Sequence, residues 1–209
     1  MALPDVFHTP GGTTRRAGLL ADVRAAGARV REVSPEVMAH LTSATTAPDV
    51  LAVGPLLETR LDGVLPSSAV VLDAVRDPAT AGGIMASAAA VGIGCVVFGH
   101  GSVDAFSPKT VRSAAGSHYV LKVVRDVAAD ESAARFRDGG ARVVALAVDG
   151  PAPWATDLSG PVVFLVGASG IVPQEATPVG IPAASVGPSL TARAAVVLYE
   201  WLRQGAGVP

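Results

Sequence analysis

From Ser68 onward the chain sets short, unbroken apolar runs against stretches of small and polar residues. AVVLDAV, IGCVVFG, HYVLKVV, ARVVALAV and PVVFLVG have no polar alternation, the pattern of strands buried on both faces. A shorter run, VGIPAA, reads as a sixth strand. The segments between them read as helices: PATAGGIMASAAAVG, SPKTVRSAAG (opened by Ser107 and Pro108) and ESAARFRDGG. SLTARAAVVLYEWLRQ is a long amphipathic helix at the end. Strands alternating with helices predict an α/β domain, a mostly parallel sheet flanked by helices. Such sheets take ligands outside the C-terminal ends of their strands.

The first fifty residues follow another rhythm. Residues 1–12 read as a loose lead-in. Residues 13–28, TTRRAGLLADVRAAGA, predict a helix with Thr13 or Thr14 as cap and Gly27 as its stop. SPEVMAHLTSA predicts a second, with Ser34 capping, Pro35 in the first turn and Glu36 beginning it acidic. TTAPDVLAVGP holds a short strand. The chain therefore divides into a reduced, helix-rich N-terminal segment, 1–50, and a main domain, 51–209.

Composition narrows the function classes. With 209 residues, half of them hydrophobic and 16% charged, the chain can bury a good core and is not disordered. No apolar run reaches the roughly 18 to 20 residues that cross a bilayer. MALPDVFHTPGG lacks a basic-then-apolar leader pattern, so a cytoplasmic location is expected. The single Cys95, inside IGCVVFG, rules out an intrachain disulfide and a Cys-rich metal site. It reads as a buried strand residue, and no metal is expected. Net charge is −2, and of sixteen basic residues only Lys109 and Lys122 are lysines, so the broad positive field of a protein that grips nucleic acid alone is missing.

Three strand ends carry the candidate chemistry: LDAVRDPATAGG, VGASG and GIPAASVGPSL. Each is a strand-to-helix junction rich in Gly, Pro or small residues, and singly each is a weak signal. Their order and spacing resemble the SPOUT methyltransferases, in particular the TrmH/SpoU-like branch that methylates ribose 2′-hydroxyls in RNA. Asp77, Pro78 and Gly82 match that family's first motif. Ser107, Pro108, Lys109, Arg112, Ser113 and Gly116 match its next pattern, VVFLVG leads into its second motif, and Ile181, Pro182, Ser189 and Leu190 match its third. The resemblance runs from about Val50 to Arg203. It implies a deep trefoil knot in the C-terminal segment and an S-adenosylmethionine (SAM) pocket built from Val166, Gly167, Gly170, Ile181, Pro182, Ser189 and Leu190. It also implies a homodimer with the active site near the subunit interface. The N-terminal segment would be the remnant of a substrate-binding domain.

The chain departs from the family at the polar positions. Thr80 stands for an Asn and Ala86 for the catalytic Arg. In the second motif Ala168 and Ser169 replace Asn and Glu, and Val172 replaces Gly. Thr191 replaces the Asn of the third. A ribose hydroxyl attacking a sulfonium methyl needs its charge stabilised, and removing one such group commonly costs roughly two to three orders of magnitude in rate. Main-chain contacts to a cofactor would outlast these losses. Three readings stand: a SAM-dependent enzyme with an altered substrate such as a small molecule, a non-catalytic subunit pairing as a heterodimer with an active relative, and an RNA methyltransferase using substitute residues. The candidate substitutes are Arg76, His100, Ser169 and Thr191, with His118 and Glu175 weaker. His100 reads either as a surface turn residue or as a replacement base, and Asp77 as a helix cap. Trp154 and Trp201 read as packing residues.

Overall fold

The computed structural model describes residues 5–42, 46–63, 65–167, 172–183 and 187–205. These form two compact units, Met1–Leu56 and Leu57–Pro209.

In the first unit, β1 (Asp5–His8) pairs in parallel with β2 (Arg29–Glu32) and antiparallel with β3 (Val50–Val53). Strand β1 replaces the loose lead-in expected for residues 1–12. Its inward positions are Val6 and His8, so one buried site is polar and the apolar alternation is hidden. The predicted helix over 13–28 is two helices, α1 (Pro10–Arg15) and α2 (Ala17–Ala25). Thr9, not Thr13 or Thr14, is the first cap. Its hydroxyl accepts from the Gly12 N–H at 3.2 Å, and Pro10 suits the first turn because its missing donor is not needed there. Ser34 caps α3 (Pro35–Leu41) as expected, accepting from the Val37 N–H at 3.3 Å.

The second unit runs β4 (Ala69–Asp73), α4 (Pro78–Ala90), β5 (Cys95–Gly99), α5 (Pro108–Ser113), β6 (Lys122–Val127), α6 (Ala129–Asp138), β7 (Arg142–Ala147), β8 (Val162–Gly167), β9 (Thr177–Gly180) and α7 (Leu190–Gly205). All six strands are parallel, in the order β6-β5-β4-β8-β7-β9. The unbroken apolar runs have the predicted cause, because both faces of the sheet are covered. Val70, Leu72 and Phe164 meet Ile84 and Met85 of α4 and Leu198 of α7 on one face, while Val71, Val97 and Val163 meet Phe136 of α6 on the other. Each such side chain contributes about 1.5–3 kcal/mol of burial. Cys95 is fully buried, and burial pushes its thiol up to about 12.

Two strands sit differently from expectation. Residues 118 and 119 of HYVLKVV lie in a 3-10 turn, Ser117–Tyr119, entered through Gly116 at φ 87, so β6 starts only at Lys122. Strand β9 precedes most of VGIPAA. Pro182 has no N–H to continue a ladder, whereas Pro178 is tolerated because β9 is an edge strand.

The last turns of α7 are tied to the loop before β8. Gln204 accepts from the Leu158 N–H at 2.7 Å and donates to Thr156 O at 3.0 Å, and the Trp201 indole donates to Gly160 O at 3.1 Å while standing edge-on to Phe164. Trp201 is thus a packing residue. Trp154 is not: its 3-10 turn is fixed through the backbone, and the residue is 61% exposed. Glu200 accepts from Arg203 at 2.7 and 2.8 Å and from Gln204 at 2.7 Å, and these donors, Arg203 first, hold its carboxyl at about 2. A lowered folded value means stability present above the unfolded value, 4.5, and lost as pH falls through about 2. Glu200→Gln is therefore expected to flatten the fall in urea midpoint between those pH values, and an unchanged fall would assign it to other carboxylates.

Candidate active site at the strand ends

The C-terminal ends of β4, β8, β7 and β9 lie side by side, with Asp73 opposite Gly167 and Ala147 opposite Gly180. This edge collects the sequence-predicted cofactor residues that the structure describes. Val166 is buried in β8, and Gly167 is its last, half-buried residue. Ile181 leaves β9 half-buried against the core, followed by exposed Pro182. Exposed Ser189 accepts from the Ala192 N–H at 3.3 Å, and Leu190 opens α7 half-buried against the core. Ala168, Ser169 and Gly170 lie outside the described residues.

The chain leaving β9 is gripped closely. The Gly180 N–H donates to Pro151 O at 3.0 Å, and Gly180 lies so near Gly150 that an added Cβ would meet the Gly150 nitrogen at 2.9 Å. Arg193, in the second turn of α7, donates a guanidinium hydrogen bond to Ala147 O, the carbonyl at the end of β7. It is half-buried and was not singled out from the sequence, where it reads as one more arginine of an amphipathic helix.

The first motif opens α4. Asp77 is its cap: one carboxylate oxygen accepts from both the Thr80 N–H and the Thr80 hydroxyl at 2.7 Å, which holds the carboxyl below its usual range. Thr80 is thereby spent on the cap. Gly83 lies against Thr191 of α7, whose methyl would be 2.9 Å from an added Cβ. Thr80 and Ala86 flank Gly83 at three-residue spacing, on the same side of the helix. Positions 80 and 86 thus lie to either side of Gly83, and it is Gly83 that meets the altered position 191 where α4 packs on α7. None brings a charge.

The remaining candidates scatter. Arg76 is exposed in the loop after β4, and Lys109 and Arg112 are exposed on α5. His100 is exposed in the turn after β5, its N–H donating to Val127 O at 3.0 Å. His118 is buried, with Nε2 2.8 Å from Ala105 O and its ring 5.3 Å from that of Phe106. Glu175 borders a cleft of about 340 Å³ between α6 and the chain leading to β9. A larger cleft, about 720 Å³, opens beside β6 among Glu58, Asp62, Arg125 and Glu131. Its charged, open walls do not suit a nucleoside, which takes apolar walls with a few placed polar groups. Ile181 and Leu190 are half-buried apolar residues packed against the core near the strand ends.

The profile of the SpoU rRNA Methylase family matches residues 67–197. The chain is 37% identical over 93 residues to the 23S rRNA guanosine 2′-O-methyltransferase RlmP of Bacillus subtilis, a stretch covering 44% of this chain and 37% of RlmP. It is 34% identical over 70 residues to the human mitochondrial rRNA methyltransferase 3, covering 34% of this chain and 16% of that protein. The matched stretches thus span about a third or less of these relatives. Among solved structures, an rRNA methyltransferase from Sinorhizobium meliloti superposes with a TM-score of 0.77 at 24% identity, covering 96% of this chain and 80% of that one. The SpoU methyltransferase AviRb from Streptomyces viridochromogenes, solved with its cofactor AdoMet, superposes with a TM-score of 0.73 at 23% identity, covering 97% and 83%.

Proposed function

The chain belongs to the SpoU rRNA methylase family, and from that premise we propose that it is a SAM-dependent methyltransferase whose substrate differs from the family's usual RNA ribose. AviRb, which shares the fold, was solved with AdoMet. The residues present fit that cofactor. Ile181 and Leu190 give apolar walls, and the backbone around Gly167, Ile181 and Pro182 gives main-chain donors and acceptors at the strand ends. When bound, the cofactor would supply a methyl group on a positively charged sulfur. The chain following β8, β9 and the start of α7 would hold it, and the knotted passage of the C-terminal segment belongs to the same proposal.

What carries the altered-substrate reading is the junction of α4 with α7. Thr80 is committed to Asp77, Ala86 is apolar, and Thr191 turns its methyl toward Gly83. The altered positions of α4 therefore give the acceptor oxygen no positive charge. The acceptor must lose its proton more readily than a ribose hydroxyl does, as some small-molecule hydroxyls do, or draw its charge from another element. The same replacements favour a second reading, a non-catalytic subunit that pairs with an active relative. The homodimer, the N-terminal unit as a reduced substrate-binding domain and a cytoplasmic location complete the proposal. No described helix is long and apolar enough to cross a membrane.

Calorimetry of the full chain with SAM tests the cofactor. Saturable binding at sub-millimolar ligand is the expected result, and no heat at millimolar ligand overturns the proposal. Methyl transfer from labelled SAM, to RNA and to hydroxyl-bearing small molecules in parallel, tests the substrate. Transfer to RNA ribose at the rate of an intact relative would overturn the altered-substrate reading. Binding without transfer to either, together with recovery of an intact family member in a pull-down, would favour the paired subunit.

A further inference from the structure

Among the described arginines of the second unit, the exposed ones need no partner, and two are half-buried. Arg125 is paired with Glu58 at 2.6 Å. Arg193 has no carboxylate partner among the described residues, and its described bond is to Ala147 O. A carbonyl satisfies one of the five N–H donors of a guanidinium and none of its charge. The charge also stands near the start of α7, where the helix dipole disfavours a cation rather than helping it. A half-buried, unneutralised cation in the less favourable half of a helix is costly unless something anionic joins it. The place is specific: Ala147 pairs with Gly180, and the next residues are Ile181 and Pro182. The strap to Ala147 O fixes the guanidinium at that edge, leaving its other donors for a planar, two-oxygen group.

We propose that Arg193 is an anion-binding residue of the strand-end site, receiving either the carboxylate at the amino-acid end of the cofactor or a phosphate of the substrate. The inference rests on the proposed cofactor site and supplies from α7 the positive charge that α4 lacks.

Calorimetry on the full chain compares the wild type with Arg193→Ala and Arg193→Lys. The ligands are SAM, 5′-methylthioadenosine, which keeps the nucleoside and lacks the carboxylate, and a short oligoribonucleotide. If the carboxylate is the ligand, Arg193→Ala weakens SAM by about tenfold or more, leaves methylthioadenosine unchanged, and Arg193→Lys restores part of the loss. If a phosphate is the ligand, SAM is unchanged, while oligoribonucleotide binding weakens and its salt dependence falls by about one contact. Equal weakening of SAM and methylthioadenosine, or no change with any ligand, overturns the proposal and leaves Arg193 a strap on β7. Should the wild type bind neither nucleoside, the cofactor reading fails separately, and the oligoribonucleotide alone decides whether Arg193 binds an anion.

Discussion

Gly82→Ala is expected to destabilise the second unit by about 2–3 kcal/mol, although alanine is the better helix former by roughly 1 kcal/mol. Gly82 is buried where α4 crosses α5. An added Cβ would stand 2.5 Å from Ser113 Cβ, 2.8 Å from the Ala114 nitrogen and 2.8 Å from Thr110 O. Two of the three are backbone atoms, so α5 must move as a body. It is anchored by Ser107, whose hydroxyl accepts from the Thr110 N–H at 3.3 Å, and by the Thr110 hydroxyl donating to Asp104 O at 3.0 Å. Gly83→Ala is the internal control. Its Cβ would meet mainly the Thr191 methyl at 2.9 Å, a side-chain end that another rotamer moves aside, so steric cost and helix propensity nearly cancel. Urea unfolding followed by circular dichroism reads both. Equal midpoints for the two variants would show that α5 yields, and that the glycine at 82 is not required by helix packing.

That contrast also shows what the sequence made legible. The sheet could be read because strands buried on both faces leave unbroken apolar runs, and β4, β5, β7 and β8 fall where those runs predict. Strand β1 could not, because one of its two inward residues is His8, and Thr-Pro-Gly-Gly looks like a loop although Thr9 and Pro10 begin a helix. Strand β2, RVRE, is an edge strand with polar residues on its exposed positions and carries no period at all. At the strand ends, the described part of the Gly- and Pro-containing junction after β4 leads into a helix start as the residue types indicate, with Asp77 capping and Pro78 in the first turn. The spacing of the altered positions 80 and 86 to Gly83 was also visible. The approach of Thr191 to Gly83 was not, because it depends on α7 packing against α4. Arg193 was missed for a different reason. An arginine on an amphipathic helix is ordinary, and the one available signal was its place four residues after Ser189, near the helix end that repels it.

Gly180→Ala is expected to weaken SAM binding by at least about tenfold, some 1.4 kcal/mol, while lowering stability less than Gly82→Ala does. Gly180 ends β9 at the sheet edge, so its displacement disturbs one edge ladder rather than the core. Every close neighbour of an added Cβ is backbone: the Gly150 nitrogen at 2.9 Å, the Gly150 oxygen at 3.0 Å and the Asp149 carbonyl carbon at 3.3 Å. None can rotate away. The chain must separate there, which strains the hydrogen bond from the Gly180 N–H to Pro151 O and carries Ile181 and Pro182 with it. A pocket walled by Ile181 moves with that segment. Gly187→Ala is the matched control on the chain entering α7, exposed and with open space around its α-carbon, and should leave SAM binding unchanged. Calorimetry on the three proteins, with the unfolding midpoint of each, separates the outcomes. A Gly180→Ala protein that binds SAM as tightly as the wild type would move the cofactor away from the β9 end and remove the basis for placing Ile181 and Pro182 in its pocket.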